Sequence, residues 1–199
     1  MKTISIISFS GREQKGNCYE ITLYLKKKIM NEFIDVHTFF LSECEIHNCS
    51  HCDYECFTEL KKCPYSFDDI TKIYNEILKC DMAIFVIPIF SNFPCSNFFI
   101  FNERSQCFFS SQQQYDNYLD VRRKYIIIGN SGFSNAKNII GYDLKKNDNT
   151  DNKFLNICSN LVHELSTKGN LIEYNIISDM IDLWTKQCID EISQFVKNE

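Results

Sequence analysis

The sequence predicts an α/β protein of the doubly wound, three-layer kind: five parallel strands with helices on both faces. Three observations carry this. Strand-like and helix-like segments alternate five times along the 199 residues. The segment Met82-Ala83-Ile84-Phe85-Val86-Ile87 is almost wholly apolar, as a central parallel strand covered on both sides must be. No linker, repeat or second composition interrupts the chain, so residues 1–199 are expected to form a single domain.

The elements follow in order. Residues 3–8 are apolar and β-branched and predict the first strand. A polar loop with Gly11 and Gly16 leads to a helix from about Cys18 to Met30, where Ile21, Leu25 and Ile29 share one face. Residues 33–38 predict the second strand. The cysteine-bearing segment 44–66 has no sustained period. Asp68 and Asp69 open a helix to about Lys79, with Ile70, Ile73 and Ile77 inward; acids there complement the positive helix end. The Met82–Ile87 strand is expected to stop at Pro88. Residues 97–109 predict a helix of unusual aromatic content. Tyr125–Ile128 predicts a fourth strand, and residues 136–150 an exposed polar excursion. A helix over about Asn152–Thr167, a last strand over Leu171–Ile177 and a last helix over Asp182–Lys197 complete the expectation.

A net charge of −5 and the absence of a basic stripe argue against a nucleic-acid partner. No run approaches eighteen apolar residues, so no membrane span is expected. The first residues lack the apolar stretch and cleavage site of a signal peptide, so the expected location is the cytoplasm. In that reducing compartment the eleven cysteines read as metal-binding or redox-active groups, or as free thiols, rather than as stable disulfides.

A doubly wound sheet binds ligands at the carboxyl ends of its strands. The loop Ser8–Cys18 suits a phosphate: N–H groups at a helix start point at an anion, Gly11 and Gly16 permit the turn, and Ser10, Arg12 and Asn17 add donors and charge. It carries neither the ending of a nucleoside-triphosphate loop nor a dinucleotide glycine fingerprint, so a monophosphate fits better. The alternative is an ordinary turn with helix-capping side chains. The segment Pro88-Ile89-Phe90-Ser91-Asn92-Phe93-Pro94-Cys95-Ser96 leaves the central strand at the same edge. Its aromatics either wall a flat ligand or fill a core or subunit interface. The apolar excess from Phe98 to Phe109 suggests a subunit contact, with Glu103 and Arg104 as an interfacial or intrachain ion pair.

Cys49, Cys52, Cys56 and Cys63 fall within fifteen positions. Four thiolates suit an iron–sulfur cluster or zinc. Free thiols and a redox disulfide are the other readings. His47 and His51 flank the run.

Three blocks together make the chain resemble the flavodoxin-like NADPH-dependent FMN reductases, most closely the branch containing the iron–sulfur flavoproteins. They are Ser10-Gly11-Arg12 with Gly16-Asn17, the cysteine block ending in Asp68-Asp69, and Pro88-Ile89-Phe90 followed by Glu103-Arg104. Order and spacing agree over about residues 3–130; beyond that the elements agree only in type. The resemblance implies strand order 2-1-3-4-5 and noncovalent FMN. It implies that Ser10, Arg12, Gly16, Asn17 and Cys18 surround the phosphate. Pro88, Ile89, Phe90, Ser91, Asn92, Phe93 and Cys95 would lie against the isoalloxazine, and Gly129, Asn130, Ser131 and Gly132 would border the ring or ribityl chain. It further implies NAD(P)H as donor, a quinone, flavin, nitro or azo compound or a protein as acceptor, and a homodimer or homotetramer. A [4Fe-4S] cluster on Cys49, Cys52, Cys56 and Cys63 is the added possibility. The chain departs from the family pattern where Cys18 replaces Thr, Phe99 stands in place of Lys, Phe90 lacks a phenolic hydroxyl, and one extra residue precedes Cys56. No side chain is assigned a catalytic role. The alternatives are an electron carrier without independent turnover and a domain that has lost its flavin.

Overall fold

The computed structural model describes residues 1–12, 16–50, 52–53, 63–109, 111–130, 133–143, 153–162 and 169–194. β1 (Lys2–Ser8), α1 (Asn17–Ile29), β2 (Ile34–Phe40), α2 (Asp69–Lys79) and β3 (Met82–Phe90) come first. A two-residue strand, β4 (Phe93–Pro94), folds back on β3 and leads into α3 (Ser96–Phe108) and α4 (Gln112–Asp120). β5 (Arg123–Gly129), α5 (Ser134–Ile140), β6 (Phe154–Cys158) and α6 (Asn175–Gln194) complete the chain.

The strands β2-β1-β3-β5-β6 lie side by side in that order and all pair in parallel. Counting only these five, the order is 2-1-3-4-5, the flavodoxin-like arrangement. Two hydrophobic clusters fill the space on either face of the sheet. One joins α1 and α6 through Ile21, Leu25, Ile177, Ile181 and Trp184. The other joins α2, α3 and α4 through Ile73, Tyr74, Ile77, Phe101 and Tyr118. The helices arise from apolar spacing: Cys18, Ile21, Leu25 and Ile29 of α1 are all buried. Lys26, Lys27 and Lys28 close α1, where cations complement the negative helix end.

Several expectations are corrected. β3 does not stop at Pro88 but continues to Phe90, with Pro88 opposite Ile128 at the end of the ladder. Most of the segment expected as a helix over Asn152–Thr167 is instead strand and 3-10 turn where it is described. Phe154–Cys158 is the last parallel strand, and Ser159–Val162 is a 3-10 turn. Its buried residues, Leu155 and Ile157, alternate with half-buried ones, a period of two that a helix does not give. The expected strand Leu171–Ile177 is instead a 3-10 turn over Leu171–Glu173 and the start of α6. Ile177, Ile181, Trp184, Cys188 and Ile192 are all buried at helical spacing, so α6 begins at Asn175 and not at Asp182. α4 went unforeseen because it is polar; Ser111 caps it, accepting from Gln114 N at 3.2 Å. The expected polar excursion begins with α5 and a 3-10 turn over Gly141–Asp143. Among the described residues, no helix is long and apolar enough to cross a membrane.

Candidate functional site

A cleft of about 440 Å³ opens at the carboxyl ends of β1, β3 and β5, where the strand order reverses. The loop after β1 forms one end. Phe9 is fully buried, and its carbonyl accepts from the Cys95 thiol and from Asn97 Nδ2, both at 3.2 Å. These bonds tie the loop to the start of α3. Ser10 Oγ accepts from Arg12 N at 3.1 Å. Gly16 is the N-cap of α1 and supplies no side-chain cap of its own. The Arg12 stem packs beside Gly16, where an added Cβ would lie 3.8 Å from Arg12 Cβ. Asn17 turns its Oδ1 away to accept from Leu171 N at 3.2 Å, joining the start of α1 to the 3-10 turn before α6.

Cys18 and Cys95 line the cleft as buried thiols. Burial pushes the Cys18 pKa well above the thiol range, and the neighbouring Cys95 adds to it. Burial likewise pushes Cys95 up to about 11. Both stay protonated at neutral pH and are poor nucleophiles.

Pro88, Ile89 and Phe90 form an apolar wall with Ile128. Phe90 is 63% exposed. Ser91 (φ 49°) and Asn92 (φ 67°) are both left-handed and close the two-residue hairpin onto Phe93. Ser91, Asn92 and Phe93 are therefore placed on the hairpin and are not among the cleft-lining residues. Gly129 and Asn130 line the opposite side. An added Cβ on Gly129 would meet Ile89 Cβ and Phe133 Cε1 at 3.2 Å, so glycine is what lets β5 end against β3. Ser131 and Gly132 lie outside the described residues.

The cleft also takes in Gly11, Ser96, Asn97, Ser159 and Leu171. Ser159 was missed because its segment was read as helix. As the first residue after a parallel strand, it stands at the binding edge by the same rule that marked the other loops.

The cysteine run is held beside α3. Arg104 Nη1 donates to His47 O (2.9 Å) and Asp68 Oδ2 (2.5 Å), and Nη2 donates to Tyr65 O (2.8 Å). One guanidinium, 2% exposed, therefore binds both ends of the loop. Burial disfavours its charge, but Asp68 outweighs this and holds its pKa above the usual arginine value. Cys49 N donates to Glu103 Oε1 at 2.6 Å. Glu103 and Arg104 thus both reach the cysteine segment, and the ion-pair partner of Arg104 is Asp68 of its own chain. Cys49 is exposed, Cys52 half-buried and Cys63 buried, while Cys56 and His51 lie outside the described residues. Among the described residues, no three His, Cys, Asp or Glu side chains gather as a metal site.

No family model matches the chain. No curated protein matches it either. Solved structures do. RosB, with a bound 8-demethyl-8-formylriboflavin-5'-phosphate intermediate, matches at TM-score 0.65 and 10% identity, over 99% of this chain and 81% of its own. FerB from Paracoccus denitrificans, a flavoenzyme NAD(P)H:(acceptor) oxidoreductase, matches at 0.57 and 13%, over 98% of each chain. An FMN-dependent NADH-azoreductase from Bacillus anthracis in complex with FMN matches at 0.53 and 8%, over 98% and 99%. At these identities the likeness is one of fold: this chain has the flavodoxin-like three-layer α/β architecture.

Proposed function

We propose that this protein is an FMN-dependent oxidoreductase that takes electrons from NAD(P)H and delivers them to a quinone, flavin, nitro or azo compound or a protein acceptor. The observation that carries the reading is a single cleft with two chemically different ends. One end gathers the start of α1, Ser10 and Arg12, suited to a phosphate. The other is the apolar wall of Pro88, Ile89, Phe90 and Ile128, suited to a flat ring. The volume lies within the range of small-molecule sites. FMN joins a phosphate to a flat ring, and the residues present fit it.

In this reading the α1 amides and Arg12 hold the phosphate, and the Cys18 backbone N–H contributes where its thiol is only a weak donor. Pro88–Phe90 and Gly129–Asn130 would flank the ring from two sides. When bound, FMN supplies hydride and single-electron chemistry. The titratable side chains among the described lining residues are Arg12, Cys18 and Cys95, so the chain offers binding and orientation there rather than acid–base catalysis. Three structures of the same fold support the reading through what they are: one holds a flavin phosphate, one holds FMN, and one is an NAD(P)H oxidoreductase flavoenzyme. The test is reconstitution with FMN followed by filtration. One tightly held FMN per chain is expected, and a colourless protein overturns the proposal. Oxidation of NAD(P)H without a partner protein separates the enzyme from an electron carrier.

A cluster on Cys49, Cys52, Cys56 and Cys63 is a second reading, favoured by the way Arg104 brings the two ends of that loop together. The described cysteines alone do not assemble a site, and no electron path runs through them here. About four irons per chain after anaerobic purification would establish the cluster. For assembly we propose a homodimer or homotetramer. A groove of about 510 Å³ between α3, α4 and the α5 end, with exposed Phe99 and Tyr142, is the face to be covered. Light scattering on the purified protein decides it.

A further inference from the structure

We propose that Ser159 is a positioning residue. It turns the Asn130 side chain so that the amide nitrogen, and not the carbonyl oxygen, faces the cleft as a donor to the cofactor ring. This rests on the FMN reading above and refines it.

The strand register creates the contact. β5 and β6 run parallel with Gly129 opposite Cys158, so the residues that follow, Asn130 and Ser159, leave the sheet side by side. Ser159 is 2% exposed, and its hydroxyl donates to Asn130 Oδ1 at 2.9 Å. The Cys158 thiol donates to the Asn130 backbone carbonyl, so backbone and side chain are both held. Both Asn130 and Ser159 line the cleft. A carboxamide carries its oxygen and its NH2 on opposite sides of one carbon. With the oxygen committed to Ser159, two N–H donors are left, and among the described residues no group accepts from them.

A donor fixed in this way selects a ring edge that presents a carbonyl oxygen or an unprotonated ring nitrogen. It rejects an edge that presents N–H. Adding electrons to the ring places negative charge on such an accepting edge, and hydrogen bonds to charged acceptors are roughly twice as strong as neutral ones. The oriented amide therefore holds the reduced ring more tightly than the oxidised one and raises the midpoint potential. Without the Ser159 hydroxyl the amide is free to rotate and present its oxygen, and the preference falls.

The experiment measures the two-electron midpoint potential of bound FMN, and the FMN dissociation constant in both redox states, for wild type, S159A and N130D. S159A is expected to lose about tenfold of the preference for reduced FMN, a fall of about 30 mV for a two-electron couple. N130D keeps shape and the Ser159 hydroxyl but replaces the donor with an acceptor, and its potential is expected to fall further. A purely packing role for Ser159 weakens both redox states equally and leaves the potential where it was; that result overturns the proposal. If S159A does not fold, an unchanged potential in N130D overturns it alone. A wild type that never binds FMN sinks the functional reading itself. A wild type that binds FMN, with both variants at its potential, sinks the roles of Ser159 and Asn130 and leaves the functional reading standing.

Discussion

Gly129 stands where an added side chain would crowd its neighbours. Its virtual Cβ would lie 3.2 Å from both Ile89 Cβ and Phe133 Cε1, and Ile89 Cβ is fixed to the central strand. Gly129→Ala is expected to destabilise the protein by about 1–3 kcal/mol, the usual cost of overpacking, read from urea unfolding. Asp68 and Arg104 are the other residues whose replacement carries a definite sign. Both side chains are buried, and each is the charge partner of the other. Arg104→Met leaves a buried carboxylate without its cation and is expected to cost about 3 kcal/mol. Removing both charges together, as D68N with R104M, is expected to recover part of that loss, which a double-mutant cycle measures. These two sites differ in legibility. Arg104 was visible as a charge in an aromatic helix, but its partners lie on a loop 36 and 57 residues away, a pairing that local pattern does not encode.

Among the described elements, the β3–β4 hairpin is where non-glycine residues adopt positive φ and store strain. Ser91 and Asn92 both adopt left-handed backbone, which type I′ turns require and which serine tolerates poorly. Ser91→Gly is expected to stabilise the fold by about 1 kcal/mol, measured by thermal or urea denaturation. A fall in stability would show that the serine makes a contact worth more than the strain. The hairpin also decides which side chains of this loop face the cleft. Of the stretch Pro88–Cys95 expected against the ring, Pro88, Ile89, Phe90 and Cys95 line the cleft, and Ser91, Asn92 and Phe93 stand on the hairpin. A two-residue turn reverses the chain and carries the later residues onto the rim. The pairing that reverses it, Phe90 opposite Phe93, is a tertiary fact.

At the scale of the whole molecule, charge and buried thiols set the pH range of stability. Lys72 and the Glu45 amide lower the Asp69 pKa. Burial would raise Asp81 and Asp182, but hydrogen bonds from Lys2 and Thr3 N, and from Lys28 and Tyr24, outweigh it and lower both. A carboxylate with a lowered folded pKa contributes stability above its unfolded pKa and loses it as pH falls through the folded value. Urea midpoints are therefore expected to drop below about pH 4, the ordinary carboxylate range. On the alkaline side, burial pushes Cys80 and Cys95 up to about 11 and Cys188 to about 12, from 9.0. Raised folded values give stability that is full below pH 9.0 and lost as pH rises toward 11–12. Denaturation curves at pH 3, 7 and 10 check both limbs.

The sequence by itself determined the fold class, the central strand, the helices α1 and α2, and the edge of the sheet where the cleft opens. Each follows from short-range periodicity and from the rule that parallel strands place loops at their carboxyl ends. Tertiary structure decided the last strand. Phe154–Cys158 is five residues long, and only its place beside β5, with Phe154 stacked on Tyr125 at 5.0 Å, makes it a strand. It also decided which side chains share a wall. Ser159 meets Asn130, Leu171 meets Asn17 and Cys95 meets Phe9 across 29, 154 and 86 residues. Local propensity fixes how a segment coils, but contacts between distant segments are fixed by register and packing, which exist only once the sheet has formed.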